Sequence, residues 1–186
     1  TYSADLLPVV SEIRNILKNL DEWMAVKPQE TSWVYWPARL ELRPQALGVV
    51  GVISPWNYPV ALCLLPLCDA IAAGNRVLIK PSEHVPHTSQ ALKEIVEAVF
   101  PNDVAAVCVG DVNVAVALSK LPLNHLIFTG SVAVGKKVMA AAAEKLTPIT
   151  LELGGKSPAI IHSSYDINRA ADRIVFGKCF NSGQTC

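Results

Sequence analysis

The sequence predicts an α/β fold built on a doubly wound parallel sheet. From residue 47 onward, short apolar runs of strand length alternate with longer helical runs, the mark of repeated βαβ units. The strand-length runs are apolar at consecutive positions, as in L-G-V-V-G-V-I-S at 47–54, which suits strands covered on both faces. Hydrophobic residues make up 51% of the 186 and charged residues only 17%, a core-rich composition far from that of disorder.

Residues 4–24 set Leu6, Leu7, Val10, Ile13, Ile16, Leu17, Leu20 and Trp23 at spacings of three and four, an amphipathic helix closed by Pro28. Residues 31–44 hold two β-type runs, T-S-W-V-Y-W and A-R-L-E-L-R, broken at Pro37. The pair reads either as an exposed ribbon that packs on a partner chain or as an edge hairpin on its own sheet. After Pro44 come a buried strand at 47–54, a helix at 60–73 stopped by Gly74 and Asn75, and a strand at 76–80. A helix at 88–100 capped by Thr88 or Ser89, a strand at 104–109 ending at Gly110, and a helix at 112–121 capped by Asp111 follow. Then come a strand at 125–129, an Ala-rich helix at 132–146, strands at 149–153 and 157–162, and a helix from the Asp166 cap to about residue 180. The first expected domain is 1–150 and the second begins at 151. The chain reads as a piece of a longer protein.

Sixteen basic and 16 acidic residues balance, and no basic stripe appears, so nucleic acid is not an expected partner. The longest apolar stretch, 59–74, is interrupted by Pro66 and Asp69 and is too short to span a bilayer. No signal-peptide pattern opens the sequence. Cys63, Cys68, Cys108, Cys179 and Cys186 are odd in number and contain no C-x-x-C pair, which points to reduced thiols in a cytoplasmic protein and to no metal site.

Five motifs stand out, most of them at strand ends, where ligands bind in open α/β sheets. In S-P-W-N-Y-P, 54–59, two prolines stiffen a loop around Asn57. Its amide is either an oxyanion donor or the cap of a Pro-rich turn. K-P-S-E, 80–83, is either a ribose clamp or a solvated turn. F-T-G-S-V-A-V-G-K-K, 128–137, leaves a strand and opens a helix, where backbone N–H groups and the dipole favour phosphate. It nearly matches a P-loop, but Lys137 stands where a magnesium-binding hydroxyl is needed. In L-E-L-G-G-K-S-P, 151–158, Glu152 among apolar residues is either a general base of raised pKa or a strand glutamate paired with Lys156. F-N-S-G-Q-T-C, 180–186, presents Cys186 behind small and polar neighbours, as a nucleophile or as core filling.

In this order, P-W-N-Y-P, K-P-S-E, F-T-G-S with Gly135, L-E-L-G-G-K and F-N-S-G-Q-T-C resemble the aldehyde dehydrogenase superfamily, over nearly the whole chain. Within it the likeness is to the class 3 branch and the bacterial coniferyl aldehyde dehydrogenases. The resemblance implies a Rossmann-like NAD-binding domain over 1–150, with the oligomerisation ribbon at 31–44, and the start of a catalytic domain at 151–186. It implies Cys186 as nucleophile, Asn57 and the Cys186 N–H as oxyanion donors, and Glu152 as base. It implies a cofactor site of Ser54, Trp56, Lys80, Glu83, Gly110, Gly130, Ser131 and Gly135. The cofactor is NAD, with NADP as the alternative, because the Glu83 carboxylate favours a ribose 2′-hydroxyl and repels a 2′-phosphate. The expected reaction is oxidation of a small aldehyde to its acid through a thiohemiacetal and a thioester, in a homodimer or homotetramer. The competing readings are acyl transfer to coenzyme A and a non-catalytic nucleotide-binding protein on the same scaffold. Residues 1–186 by themselves are expected to be inactive.

Overall fold

The structure, a computed structural model, describes residues 2–186. The amino-terminal amphipathic run forms α1 (Leu7–Met24) after one wide π-type turn at Tyr2–Leu6. Val9 and Ile16 are its buried positions, and α1 packs on α2 (Ala61–Ala72). The helix ends at Met24, short of Pro28. Pro28 instead lies in β1 (Lys27–Gln29), which pairs antiparallel with β2 (Leu40–Leu42). A two-stranded ribbon is all edge, so a proline without an N–H is tolerated there. The expected strand at 31–36 is absent: Trp33–Tyr35 forms a 3₁₀ turn in the connection between β1 and β2. Local bonds from Tyr35 N–H to Ser32 C=O and from Trp36 N–H to Trp33 C=O tie up the backbone groups that a ladder would use.

The chain then builds one parallel sheet. Its strands are β3 (Val49–Ile53), β4 (Arg76–Lys80), β5 (Ala105–Val107), β6 (His125–Gly130) and β7 (Ile149–Leu153). They lie in the order β5–β4–β3–β6–β7, every pair parallel. The connecting helices are α2, α3 (Pro86–Val99), α4 (Val112–Ser119) and α5 (Val132–Ala143), and α6 (Ile167–Cys179) follows β7. The chain winds outward from β3 through β4 to β5, then returns to the other side of β3 for β6. This makes a topological switch point between the carboxyl ends of β3 and β6.

Alternation along β3 divides the core. Val50 and Val52 face a cluster with Cys63, Leu67, Leu92 and Val96 from α2 and α3. Ile53 faces a second cluster with Leu118, Leu126, Phe128, Val138 and Ala142 under α4 and α5. Burial on both faces is what the continuous apolar runs required.

Two further expectations are corrected. Helix α3 starts at Pro86 with Val85 in the cap position, ahead of Thr88 and Ser89. Proline suits the first helical position because its missing N–H has no helical partner there, and Ser89 lies buried with its hydroxyl donated to the Ser82 carbonyl. Residues 157–162 form no strand: among the described residues no ladder partner lies beside them, and Ile160 is 93% exposed. Strand β7 runs through residue 150, and the chain leaves the sheet after Leu153. No helix among the described residues is long and apolar enough to cross a membrane.

Candidate active site

The loop 54–60 leaves β3 at the switch point and enters α2. At its start the Ser54 hydroxyl lies 2.6 Å from the Cys63 thiol, and Ser54 is buried. The hydroxyl therefore points into the core, away from the crevice. Burial pushes the Cys63 thiol up to about 11, so it stays protonated near neutral pH and is not a nucleophile. Trp56 stands half-exposed at the loop.

Three hydrogen bonds then bridge this loop to the last residues of the chain. Asn57 Nδ2 donates to the Gln184 carbonyl at 2.7 Å. Asn181 Nδ2 donates to the Asn57 carbonyl at 2.8 Å. The hydroxyls of Tyr58 and Thr185 pair at 2.7 Å. The backbone after α6 makes this return by left-handed residues at Asn181 (φ 51), Ser182 (φ 57) and Gly183 (φ 74). Such a run is costly for the two residues bearing a Cβ, and strain of this kind concentrates at functional sites. The segment after β7 closes on the same place. Gly155 N–H donates to the Cys186 carbonyl at 3.3 Å, and a Cβ on Gly154 would stand 3.2 Å from that oxygen. Loop 54–60, the glycines after Glu152 and the 181–186 segment thus meet around an exposed Cys186. No local pattern marks the pairing of Asn181, Tyr58 and Thr185, because their partners lie 124 to 127 residues away.

Glu152 sits on β7 opposite Thr129 and is exposed. The burial suggested by its apolar neighbours is absent, because in strand β7 alternate residues face out and Glu152 takes an outward position. The alternative partner Lys156 makes no ion pair with it among the described residues.

Lys80 ends β4 and is 1% exposed, with its ammonium on the Glu83 carboxylate. That hydrogen bond holds the Glu83 carboxyl below its ordinary range. The two residues therefore form a charged pair at the carboxyl edge, next to β3.

At the turn from β6 into α5, the Ser131 hydroxyl caps the helix by accepting from Val134 N–H at 3.3 Å. The next donors in that first turn, Val132 and Ala133, have no helical acceptor. Gly130 and Gly135 serve packing: a Cβ would come within 2.6 Å of the Phe128 ring at Gly130 and within 2.8 Å of Leu153 at Gly135. The near P-loop spacing is thus a condition for seating α5 on β6 and β7. Gly110 follows β5, two strands from β3, and is not brought to the switch point.

A dinucleotide suits this edge. A buried lysine paired with a carboxylate offers a donor and an acceptor for a diol, and the exposed first turn of α5 offers N–H groups for a pyrophosphate.

The profile of the aldehyde dehydrogenase family matches residues 5–186. The chain is 51% identical over 186 residues to a probable coniferyl aldehyde dehydrogenase of Pseudomonas aeruginosa, covering 100% of this chain and 39% of that protein. It is 41% identical over 185 residues to aldehyde dehydrogenase family 3 member A2 of Mus musculus, covering 100% of this chain and 38% of that protein. The fold superposes on a substrate-bound Staphylococcus aureus AldH with a TM-score of 0.96 and 38% identity, over 99% of this chain and 40% of that one. A Mycobacterium tuberculosis aldehyde dehydrogenase complexed with NAD+ gives a TM-score of 0.87 and 33% identity, over 98% and 38%. The chain therefore spans about two fifths of the length of these relatives, and it belongs to the aldehyde dehydrogenase family.

Proposed function

We propose that the full-length protein oxidises an aldehyde to its carboxylic acid with a nicotinamide dinucleotide as acceptor. The observation that carries this reading is the convergence of the Asn57 loop and the Gly154–Gly155 turn on Cys186. In this reading the Cys186 thiolate adds to the carbonyl carbon, and the C=O electrons move onto oxygen. An amide NH₂ has two hydrogens, so Asn57 can hold Gln184 with one and the oxyanion with the other. The Cys186 N–H is the second donor. The dinucleotide, when bound, supplies the hydride acceptor that turns the thiohemiacetal into a thioester. Glu152 takes a proton from the water that releases the acid; its exposure leaves it reachable by solvent.

Lys80 and Glu83 bind the ribose, Ser131 and the first turn of α5 bind the pyrophosphate, and Trp56 walls the cleft. Ser54, Gly110, Gly130 and Gly135 act by shaping the edge rather than by direct donation. Residues 1–150 then form the bulk of the cofactor domain, and 151–186 open the catalytic one. The 51% identity to the Pseudomonas relative supports an aromatic aldehyde of the coniferyl type as substrate. The ribbon β1–β2, with Trp33 at 87% and Trp36 at 83% exposure, supports a dimer or tetramer joined there.

The test uses the full-length protein with NAD and an aromatic aldehyde. Reduced cofactor is expected by absorbance, with the free acid as product. Absence of reduced cofactor overturns the reading, and a strict need for coenzyme A overturns the hydrolytic step.

Cofactor choice follows from Glu83. The ionised carboxylate repels a 2′-phosphate, so wild type is expected to prefer NAD. Glu83→Gln leaves the Lys80 ammonium without its counter-charge, and the ratio of kcat/KM for NAD over NADP is expected to fall by roughly tenfold or more. A wild-type preference for NADP, or an unchanged ratio in Glu83→Gln, would refute the assignment.

A further inference from the structure

The loop bearing Asn57 is braced at both ends by buried polar groups outside the reacting set. At its start stands the Ser54–Cys63 contact. At its end stands Asp5, which comes from the turn ahead of α1. The first turn of α2 has N–H groups without helical acceptors. Its own cap residue, Val60, has no side-chain acceptor to give. Asp5 Oδ1 supplies one from 56 residues away, accepting from Ala61 N–H at 2.6 Å.

Asp5 is only 4% exposed. Burying a carboxylate is expensive unless it is compensated, and the compensation here is that N–H and the positive end of the α2 dipole. Among the described residues no ion pair contains Asp5. Asp5, Asn57, Tyr58 and Val60 also line one cleft of about 230 Å³, together with Asn181. Pro55 and Pro59 stiffen the loop, so a shift at Ala61 passes back to Asn57 instead of being absorbed.

We propose that Asp5 is a positioning residue for the oxyanion donor: by anchoring the first N–H of α2 it holds the Asn57 amide where the developing oxyanion will lie. The inference rests on the role given to Asn57 above.

In the full-length protein, Asp5→Ala is expected to lower kcat by roughly 10- to 100-fold, as expected for a misplaced donor. KM for the aldehyde and Kd for NAD should stay within about twofold, because ground-state binding does not use the oxyanion donor. The rate of Cys186 alkylation by iodoacetamide should change no more than it does in Asn57→Ala, because the same amide holds the Gln184 carbonyl. Asp5→Asn, which keeps an Oδ1 acceptor, should recover most of the rate. In an Asn57→Ala background, Asp5→Ala should cost less than about twofold more, since the two act through one interaction. A lowered Tm with unchanged kcat, or the same loss in both backgrounds, would overturn the proposal. Should the alanine variant fail to fold, Asp5→Ser carries the same double-variant test with a shorter acceptor. An inactive wild type would instead count against the proposed function itself, so the two failures are distinct.

Discussion

Cys186→Ala in the full-length protein is expected to lower kcat on the order of a million-fold, as removal of a covalent nucleophile does elsewhere. Asn57→Ala is expected to lower it by roughly 100- to 1,000-fold, the usual loss for one oxyanion donor. The two losses differ in kind. Without the thiol no covalent path exists and only background chemistry remains. Without the amide the path survives, but charge builds on the carbonyl oxygen against one backbone donor. KM should move little for Asn57→Ala, because the donor is needed once the oxygen carries charge. Asn57 also holds the Gln184 carbonyl, so its loss unlatches the segment that carries the nucleophile. The rate of Cys186 alkylation separates these effects: unchanged, it places the loss in oxyanion stabilisation; altered, it places part of the loss in the latch. Steady-state rates of cofactor reduction with both variants are the measurement. A kcat within about threefold of wild type for Asn57→Ala would remove it from the oxyanion site.

The central sheet was legible because burial on two faces writes itself as unbroken apolar runs, as at Val49–Ile53 and Arg76–Lys80. The caps at Asp111 and Asp166 were legible because each acts within three residues. The first β-type run of the ribbon region forms a 3₁₀ turn in place of a strand. T-S-W-V-Y-W has strand-forming residues, yet an exposed run with no face to cover is free to turn on itself. Residues 157–162 illustrate the same limit: strand propensity needs a neighbour, and among the described residues none is there. For the site, the motifs marked the right loops without their mutual geometry. The family resemblance puts Ser54 in the cofactor site, but its hydroxyl is spent on Cys63. Glu152 reads like a buried base from its neighbours, but period two puts it outside. Asp5 carries no local sign at all, because its partner is an N–H 56 residues on.

Gly51 in the middle of β3 shows what holds the switch point together, and it yields a prediction about stability. A Cβ there would stand 2.5 Å from Leu123 and 3.1 Å from Leu118. Both leucines are buried, Leu118 at the end of α4 and Leu123 just after it, before β6. The missing side chain is what lets that connection settle onto the central strand beside β6. Gly51→Ala is therefore expected to destabilise by about 1–3 kcal/mol through overpacking. Leu123→Ala is expected to cost about 2–5 kcal/mol, since it leaves a void. Combined, the new methyl enters the space the leucine vacated. The double variant should then be more stable than the sum of the two losses, by at least ~1 kcal/mol. Urea unfolding of the full-length protein, followed by tryptophan fluorescence, measures the three values. Strict additivity would mean that backbone shifts, not the Leu123 side chain, set the closeness of α4 to β3. Because β3 ends at the loop that carries Asn57, the same variants should show whether slack in this packing reaches the site. Gly51→Ala is expected to lower kcat as well as stability, and the double variant to restore part of both.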